Sequence, residues 1–162
     1  MPAPLAYFLT WTTYGTRLHG DARGTVDRDH KRPGTPFLPA DESRVLAMRE
    51  KMSQPPYLMD EDAQAVVQAA IREHAEVKGW RILALATPGT HVHLVIDCRR
   101  PGVPLPPPER VMQSFKSWAT RALRAHKLVG PSRRVWTDHG STRWVNNAEG
   151  LQGALDYVMY GQ

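Results

Sequence analysis

Apolar and polar positions change period several times along the chain, and each change marks an element. Leu5–Tyr14 ("LAYFLTWTTY") is a run of aromatic and β-branched residues and predicts a strand. Asp41–Met52 predicts a short helix. Asp60–Lys78 predicts a longer one, with Val66, Val67, Ala70, Ile71 and Ala75 as its apolar stripe. Asp60 or Asp62 caps its start and Gly79 ends it. Trp80–Thr87 ("WRILALAT") predicts a strand, Pro88–Thr90 a turn, and "HVHLVIDC" the returning strand of a hairpin. Arg99–Pro108 ("RRPGVPLPPP") is excluded from a helix or a central strand by its prolines. In Glu109–Lys127, Val111, Met112, Phe115, Trp118, Ala119, Ala122 and Leu123 recur at three and four, which predicts an amphipathic helix. Its other face carries Arg110, Lys116, Arg121 and Arg124. Val135–Asn146 holds two short strand-like pieces, "VWT" and "TRWVN", and Ala148–Tyr160 predicts a final helix capped by Asn147 or Asn146.

The first six firm elements, strand-helix-strand-strand-helix-strand, follow the ferredoxin-like order. The expected class is therefore α+β: an antiparallel sheet with helices on one face, the two histidines of "HVH" on a central strand, and an additional C-terminal helix. No internal repeat and no second core are visible, so residues 1–162 predict one domain. Residues 15–39 are rich in Gly, Pro, Asp and charge without periodicity and predict a long loop, either functional or disordered.

Charge adds an anionic partner to this picture. The formal net charge is +5, and its distribution is uneven. Ten of the 21 Lys/Arg but only two of the 16 Asp/Glu, Glu109 and Asp138, fall between Arg99 and Arg143. Such a segment suits either a polyanion-binding face or a solvated basic helix. Cys98 is the one cysteine, so no intrachain disulfide can form, and a cytoplasmic location is expected. The first residues lack the pattern of a signal peptide, and no apolar run approaches the roughly 20 residues that span a bilayer.

His91 and His93 lie one residue apart on a predicted strand, so their rings share a face about 7 Å apart along the chain. Two neutral imidazoles can share one divalent metal ion, or they can be strand residues with no common task. As ligands they leave coordination positions open, which suits an ion that grips a substrate oxygen. The final helix holds Tyr157 and Tyr160, each either a packing residue or a nucleophile. A phenol attacks a phosphodiester only when a metal and nearby cations drain charge from the phosphate. Gln162 could add an oxygen ligand.

Together "THVHLVI", "VMQSFKSWATRAL" and "ALDYVMYGQ" resemble the single-tyrosine HUH transposases, which include insertion-sequence and REP-associated tyrosine transposases. The opening "YFLTWTTYGTRLHGDARGTVDR" is similar to a bacterial transposase subgroup. The resemblance runs from about Leu5 to Gln162. It implies that His91 and His93 hold Mg²⁺ or Mn²⁺, that Tyr157 attacks single-stranded DNA to form a 5′-phosphotyrosine, and that a free 3′-hydroxyl later completes strand transfer. It implies hairpin DNA as the partner, and it leaves a monomer and a homodimer both open. By its place in "ALDYV", Tyr157 matches the family nucleophile, with Tyr160 in reserve about 60° away on the helical wheel. Gln162 stands five residues past Tyr157 where relatives place a ligand one turn on. Thr90 stands where many relatives carry Asn.

On this reading Lys116 meets the phosphate or the phenolate. Arg99, Arg100, Arg121, Arg124, Arg133, Arg134 and Arg143 contact the backbone, and Trp136 and Trp144 either stack on bases or pack in the core. Two other functions fit the same residues. One is a non-catalytic, domesticated DNA-binding relative of the same fold. The other is a metal hydrolase that uses the histidines without a covalent step.

Overall fold

A computed structural model of the chain describes residues 3–16 and 53–161. The helix expected at Asp41–Met52, residues 17–39 of the expected loop, and Gln162 lie outside the described residues. Four strands and three helices are described: β1 (Ala6–Thr12), α1 (Glu61–Lys78), β2 (Arg81–Ala86), β3 (His91–Asp97), α2 (Pro108–Ala125), β4 (Ser141–Val145) and α3 (Ala148–Tyr160). The strands form one antiparallel sheet in the order β2-β3-β1-β4. This is the ferredoxin-like arrangement, with β3 as one of the two inner strands.

The ends of the helices follow from their caps. Asp60 accepts a hydrogen bond from the Ala63 amide at 2.8 Å, which assigns the α1 cap to Asp60 rather than Asp62. Gly79 closes α1 at φ 74°, a left-handed conformation that a side chain resists. Asn147, not Asn146, caps α3 by accepting from the Gly150 amide at 2.7 Å. The α2 helix begins one residue earlier than expected, at Pro108. Proline is tolerated at the first helical position because the amide there has no intrahelical partner to lose.

The sheet separates two cores. On one face α1 and α2 pack against Tyr7, Leu9, Trp11, Val92, Leu94 and Ile96, burying Val67, Ile71 and Phe115 completely. On the other face α3 covers Ala6, Ala84 and Val95 with Ala154 and Val158. The sheet is therefore covered on both sides, and the tyrosine helix sits opposite the ferredoxin-like pair. The first core takes the alternating apolar set of β1 and β3. The second receives the intervening residues, which include both histidines. Among the described residues no helix is long and apolar enough to cross a membrane.

Candidate active site

The site begins at the turn before β3. The Thr90 carbonyl accepts from the Thr13 amide at 2.9 Å, and the Gly89 carbonyl accepts from the Met59 amide at 2.9 Å. These bonds fix the start of β3, so His91 and His93 leave the strand on one face. Their ring centroids lie 4.5 Å apart and nearly perpendicular. In register, Thr12 opposes His91 and Thr10 opposes His93 across β1. Each ring is held through Nδ1. His93 Nδ1 lies 2.9 Å from the Thr10 hydroxyl, and His91 Nδ1 lies 2.9 Å from the Thr90 hydroxyl.

The α3 helix brings Tyr157 to the same place from the same chain. Its ring meets His93 edge-on at 5.4 Å and Phe8 at 5.8 Å, and Phe8 meets His93 at 6.0 Å. The Tyr157 residue remains 49% exposed, so one side of the phenol is open to a large substrate. Tyr160 is 83% exposed, one turn further on. Arg143 opposes Phe8 across β4, so its side chain rises from the face that carries His93 and Tyr157.

Burial decides the protonation of this cluster. His93 is 6% exposed. Loss of solvation and the neighbouring His91 lower its pKa from 6.5 to about 4, so it is neutral near pH 7. Neutral imidazole is the form that binds a metal. Among the described residues no group of three or more His, Cys, Asp or Glu side chains could enclose an ion. The neutral ring of His93 and the neighbouring ring of His91 on one strand, beside an exposed phenol, fit an open divalent-cation site completed by oxygen from water or substrate.

Protonation of His93 also couples the site to stability. The folded chain keeps this ring neutral down to about pH 4, while the unfolded chain binds its proton near pH 6.5. The unfolded state therefore binds more protons between these values. The stabilisation is complete above pH 6.5 and is lost as the pH falls towards 4, by up to about 3 kcal/mol. His74, buried against Trp80, Phe115 and Trp118, has its pKa lowered by burial and adds a loss of the same sign. Urea unfolding of metal-free protein at pH 7.5, 5.5 and 4.5 should show the decline, and His93→Gln should show a shallower one. Equal pH dependence in the two proteins would contradict the buried neutral ring.

The basic residues divide by position. Arg99 grips Asp97 through two bonds of 2.9 Å at the far end of β3, about 20 Å along the strand from His91. Its guanidinium holds the Asp97 carboxyl below the usual range. Arg100 is equally remote, its side chain lying against Gly79. Neither residue is brought to the histidines. Arg121, Arg124, Arg133 and Arg134 instead line a groove of about 820 Å³ between α2 and residues 132–139. Arg133 and Arg134 also stack on Tyr57 and Tyr14, and Arg133 donates to the Pro55 carbonyl at 2.7 Å. Thr13 pairs with Trp136 just past the end of β1 that lies beside His91, so Trp136, which lines the groove, sits at that end of the sheet.

Lys116 does not sit on the outer face of α2. It belongs to the inward row Met112, Lys116, Ala119, Leu123, whose spacing of four, three and four is that of one helix face, and it is 5% exposed. Its ammonium donates to the carbonyls of Thr137 at 2.9 Å and His139 at 2.6 Å, and burial lowers its pKa. Lys116 thereby ties residues 137–139 to α2; the expected strand-like piece "VWT" forms no strand, and only Trp136 pairs, as an isolated bridge with Thr13. Lys116→Met should lower the unfolding free energy by about 2 kcal/mol, because it strands two carbonyls. DNA affinity per folded molecule should be unchanged. An unaltered stability with a salt slope reduced by about one would mark Lys116 as a phosphate contact instead.

The two tryptophans also separate. Trp136 is buried, donates from its indole to the Lys116 carbonyl at 3.1 Å, and meets Trp11 edge-on. Trp144 is 59% exposed on the edge strand β4. Sequence reading did not place Phe8 or Thr10 in the site, because the register between β1 and β3 that brings them there is not specified by a local pattern. Thr90 was visible only as the residue before His91.

No family model and no curated protein matches the chain. Solved structures share its fold. A REP-associated tyrosine transposase bound to a REP hairpin aligns with 97% of this chain at a TM-score of 0.53 and 11% identity. This chain spans 66% of that protein's length. A protein from Deinococcus radiodurans R1, whose name proposes a transposase, aligns with 94% of this chain and 87% of its own at a TM-score of 0.50 and 17% identity.

Proposed function

We propose that this chain is a single-tyrosine HUH transposase: a metal-dependent endonuclease and strand transferase that acts on single-stranded DNA at a hairpin. The observation that carries the reading is the meeting of His91, His93 and Tyr157 on one face, with ring centroids 4.5 and 5.4 Å apart along the series. The trio joins two side chains of metal-ligand type to an exposed phenol. The shared fold with a transposase bound to a REP hairpin supports hairpin DNA as the partner.

A divalent cation held by His91 and His93 would polarise the scissile phosphate and stabilise the charge that builds there. The Tyr157 oxygen attacks phosphorus and gives up its proton to solvent. A P–O bond to the tyrosine forms, the bond to the 3′-oxygen breaks, and that oxygen leaves as a 3′-hydroxyl after taking a proton. The DNA is left joined to the protein through a 5′-phosphotyrosine. Attack by another 3′-hydroxyl reverses the exchange and reseals DNA without an external energy source. Arg143 rises from the same sheet face and can meet the phosphate. Arg121 and Arg124 in the groove supply backbone contacts, so binding should weaken steeply with salt.

The test is incubation of the full chain with labelled hairpin DNA carrying single-stranded flanks, with Mn²⁺, followed by a denaturing gel. A labelled band that stays with the protein supports the reading. Cleaved DNA without an adduct overturns the covalent step, and binding without cleavage leaves the non-catalytic relative as the function.

A further inference from the structure

We propose that Thr10 and Thr90 are positioning residues that turn the Nδ1 atoms of His93 and His91 onto threonine hydroxyls, so that each ring offers Nε2 as its ligand atom. The inference rests on the metal reading above, and it adds which nitrogen binds and what holds it. An imidazole on a strand rotates broadly about its outer torsion, and either nitrogen can carry the proton. Only a ring with its proton on Nδ1 presents a lone pair at Nε2. A hydroxyl placed at Nδ1 can accept that proton's hydrogen bond and hold the ring in one orientation.

Both rings have this arrangement, and they obtain it from different parts of the fold. Thr10 lies directly across the sheet from His93, its side chain on the same face, and reaches Nδ1 at 2.9 Å. Thr90 precedes His91 in the chain and reaches its Nδ1 at the same distance from the turn. That turn is tied down separately, since the Thr90 carbonyl accepts from the Thr13 amide at 2.9 Å and from the Thr13 hydroxyl at 3.2 Å. One such bond would be an ordinary feature of a threonine-rich strand. Two rings bonded through the same nitrogen, one across the sheet and one along the chain, point to a shared orientation. The same orientation leaves the His93 ring edge-on to Tyr157 at 5.4 Å.

The test uses metal-free, ¹⁵N-labelled protein. Long-range ¹⁵N–¹H correlation reads the tautomer of each histidine, and electron paramagnetic resonance of free Mn²⁺ reads affinity. In the unaltered protein His93 and His91 should carry their protons on Nδ1. Thr10→Val keeps the branched shape and removes the hydroxyl. It should move His93 to a mixture of tautomers and weaken Mn²⁺ binding by about tenfold, the lower end of effects seen when a ligand's hydrogen-bond partner is removed. Thr10→Ser should restore both readings, and Thr90→Val should do to His91 what Thr10→Val does to His93. If Thr10→Val does not fold, Thr10→Ala replaces it in the same comparison.

A proton on Nε2 of His93 in the unaltered protein overturns the proposal. So does a Thr10→Val protein with unchanged tautomer or unchanged Mn²⁺ affinity. If the unaltered protein takes up no Mn²⁺ while the tautomers follow the threonines as described, the metal reading fails and the ring-orienting role of the threonines stands.

Discussion

Replacing Tyr157 with phenylalanine should abolish the covalent protein–DNA adduct while leaving the fold and hairpin binding intact. The Tyr157 ring packs edge-on against His93 and tilted against Phe8. Phenylalanine retains both contacts, so only the hydroxyl is lost. With Tyr157 half exposed, that hydroxyl contributes little to stability, and the unfolding free energy should change by less than about 0.5 kcal/mol. Its chemical role has no substitute in the ring, because nothing else there can form a bond to phosphorus. The adduct should therefore fall below detection on the denaturing gel rather than decline by a factor. Tyr160→Phe is the control. Tyr160 lies on the same helix, 83% exposed, with its direction turned about 60° from Tyr157. That variant should keep the adduct. If Tyr157→Phe still forms one, or if Tyr160→Phe loses it, Tyr157 is not the nucleophile.

His91→Ala should slow DNA cleavage by two to three orders of magnitude at fixed Mn²⁺, and removal of the metal with a chelator should have at least that effect. His91 opens β3 and is only partly buried, whereas His93 is almost fully enclosed. Alanine at 91 therefore removes the proposed ligand without opening a cavity in the core, and a thermal melt should confirm that the fold survives. A metal ion that stabilises developing charge on a phosphate contributes several kcal/mol to the transition state. Losing about 3–4 kcal/mol of this corresponds to a factor of about 10²–10³ in rate. Single-turnover cleavage of labelled hairpin DNA measures it. Raising Mn²⁺ should recover part of the rate if the variant binds the ion weakly. Cleavage that is indifferent to His91→Ala and to chelation would remove the metal from the mechanism.

The elements that local patterns specify are legible in the sequence alone. The three described helices fall where the apolar stripes and caps place them, because a helix is built from contacts three and four residues apart. The hairpin of β2 and β3 follows from "PGT" between two apolar runs. The strand-alternation argument puts His91 and His93 on one face, and their rings do lie together. Local pattern put Tyr157 and Tyr160 alike on the last helix, and the preference for Tyr157 came from the family resemblance of "ALDYV".

Other features depended on residues far apart in the chain. Lys116 was assigned to the outer face of α2 by its charge, but the carbonyls that satisfy it come from residues 137 and 139. A charge is buried when partners arrive to pair it, and their arrival is a tertiary event. Arg99 and Arg143 were equivalent as basic residues in one segment. Arg99 pairs locally with Asp97, two residues back, whereas the register of β4 on β1 sends Arg143 to the face of Tyr157.

The sequence by itself determined the strand-and-helix order, the shared face of His91 and His93, and the single basic segment, since each is set by spacing within a few residues. Only the tertiary structure decided that α3 lies across the sheet from α1 and α2, that Tyr157 therefore reaches His93 within its own chain, and that Thr10 meets that ring from another strand. Those outcomes follow from how separate elements bury their apolar faces against one another, and no local period encodes that choice.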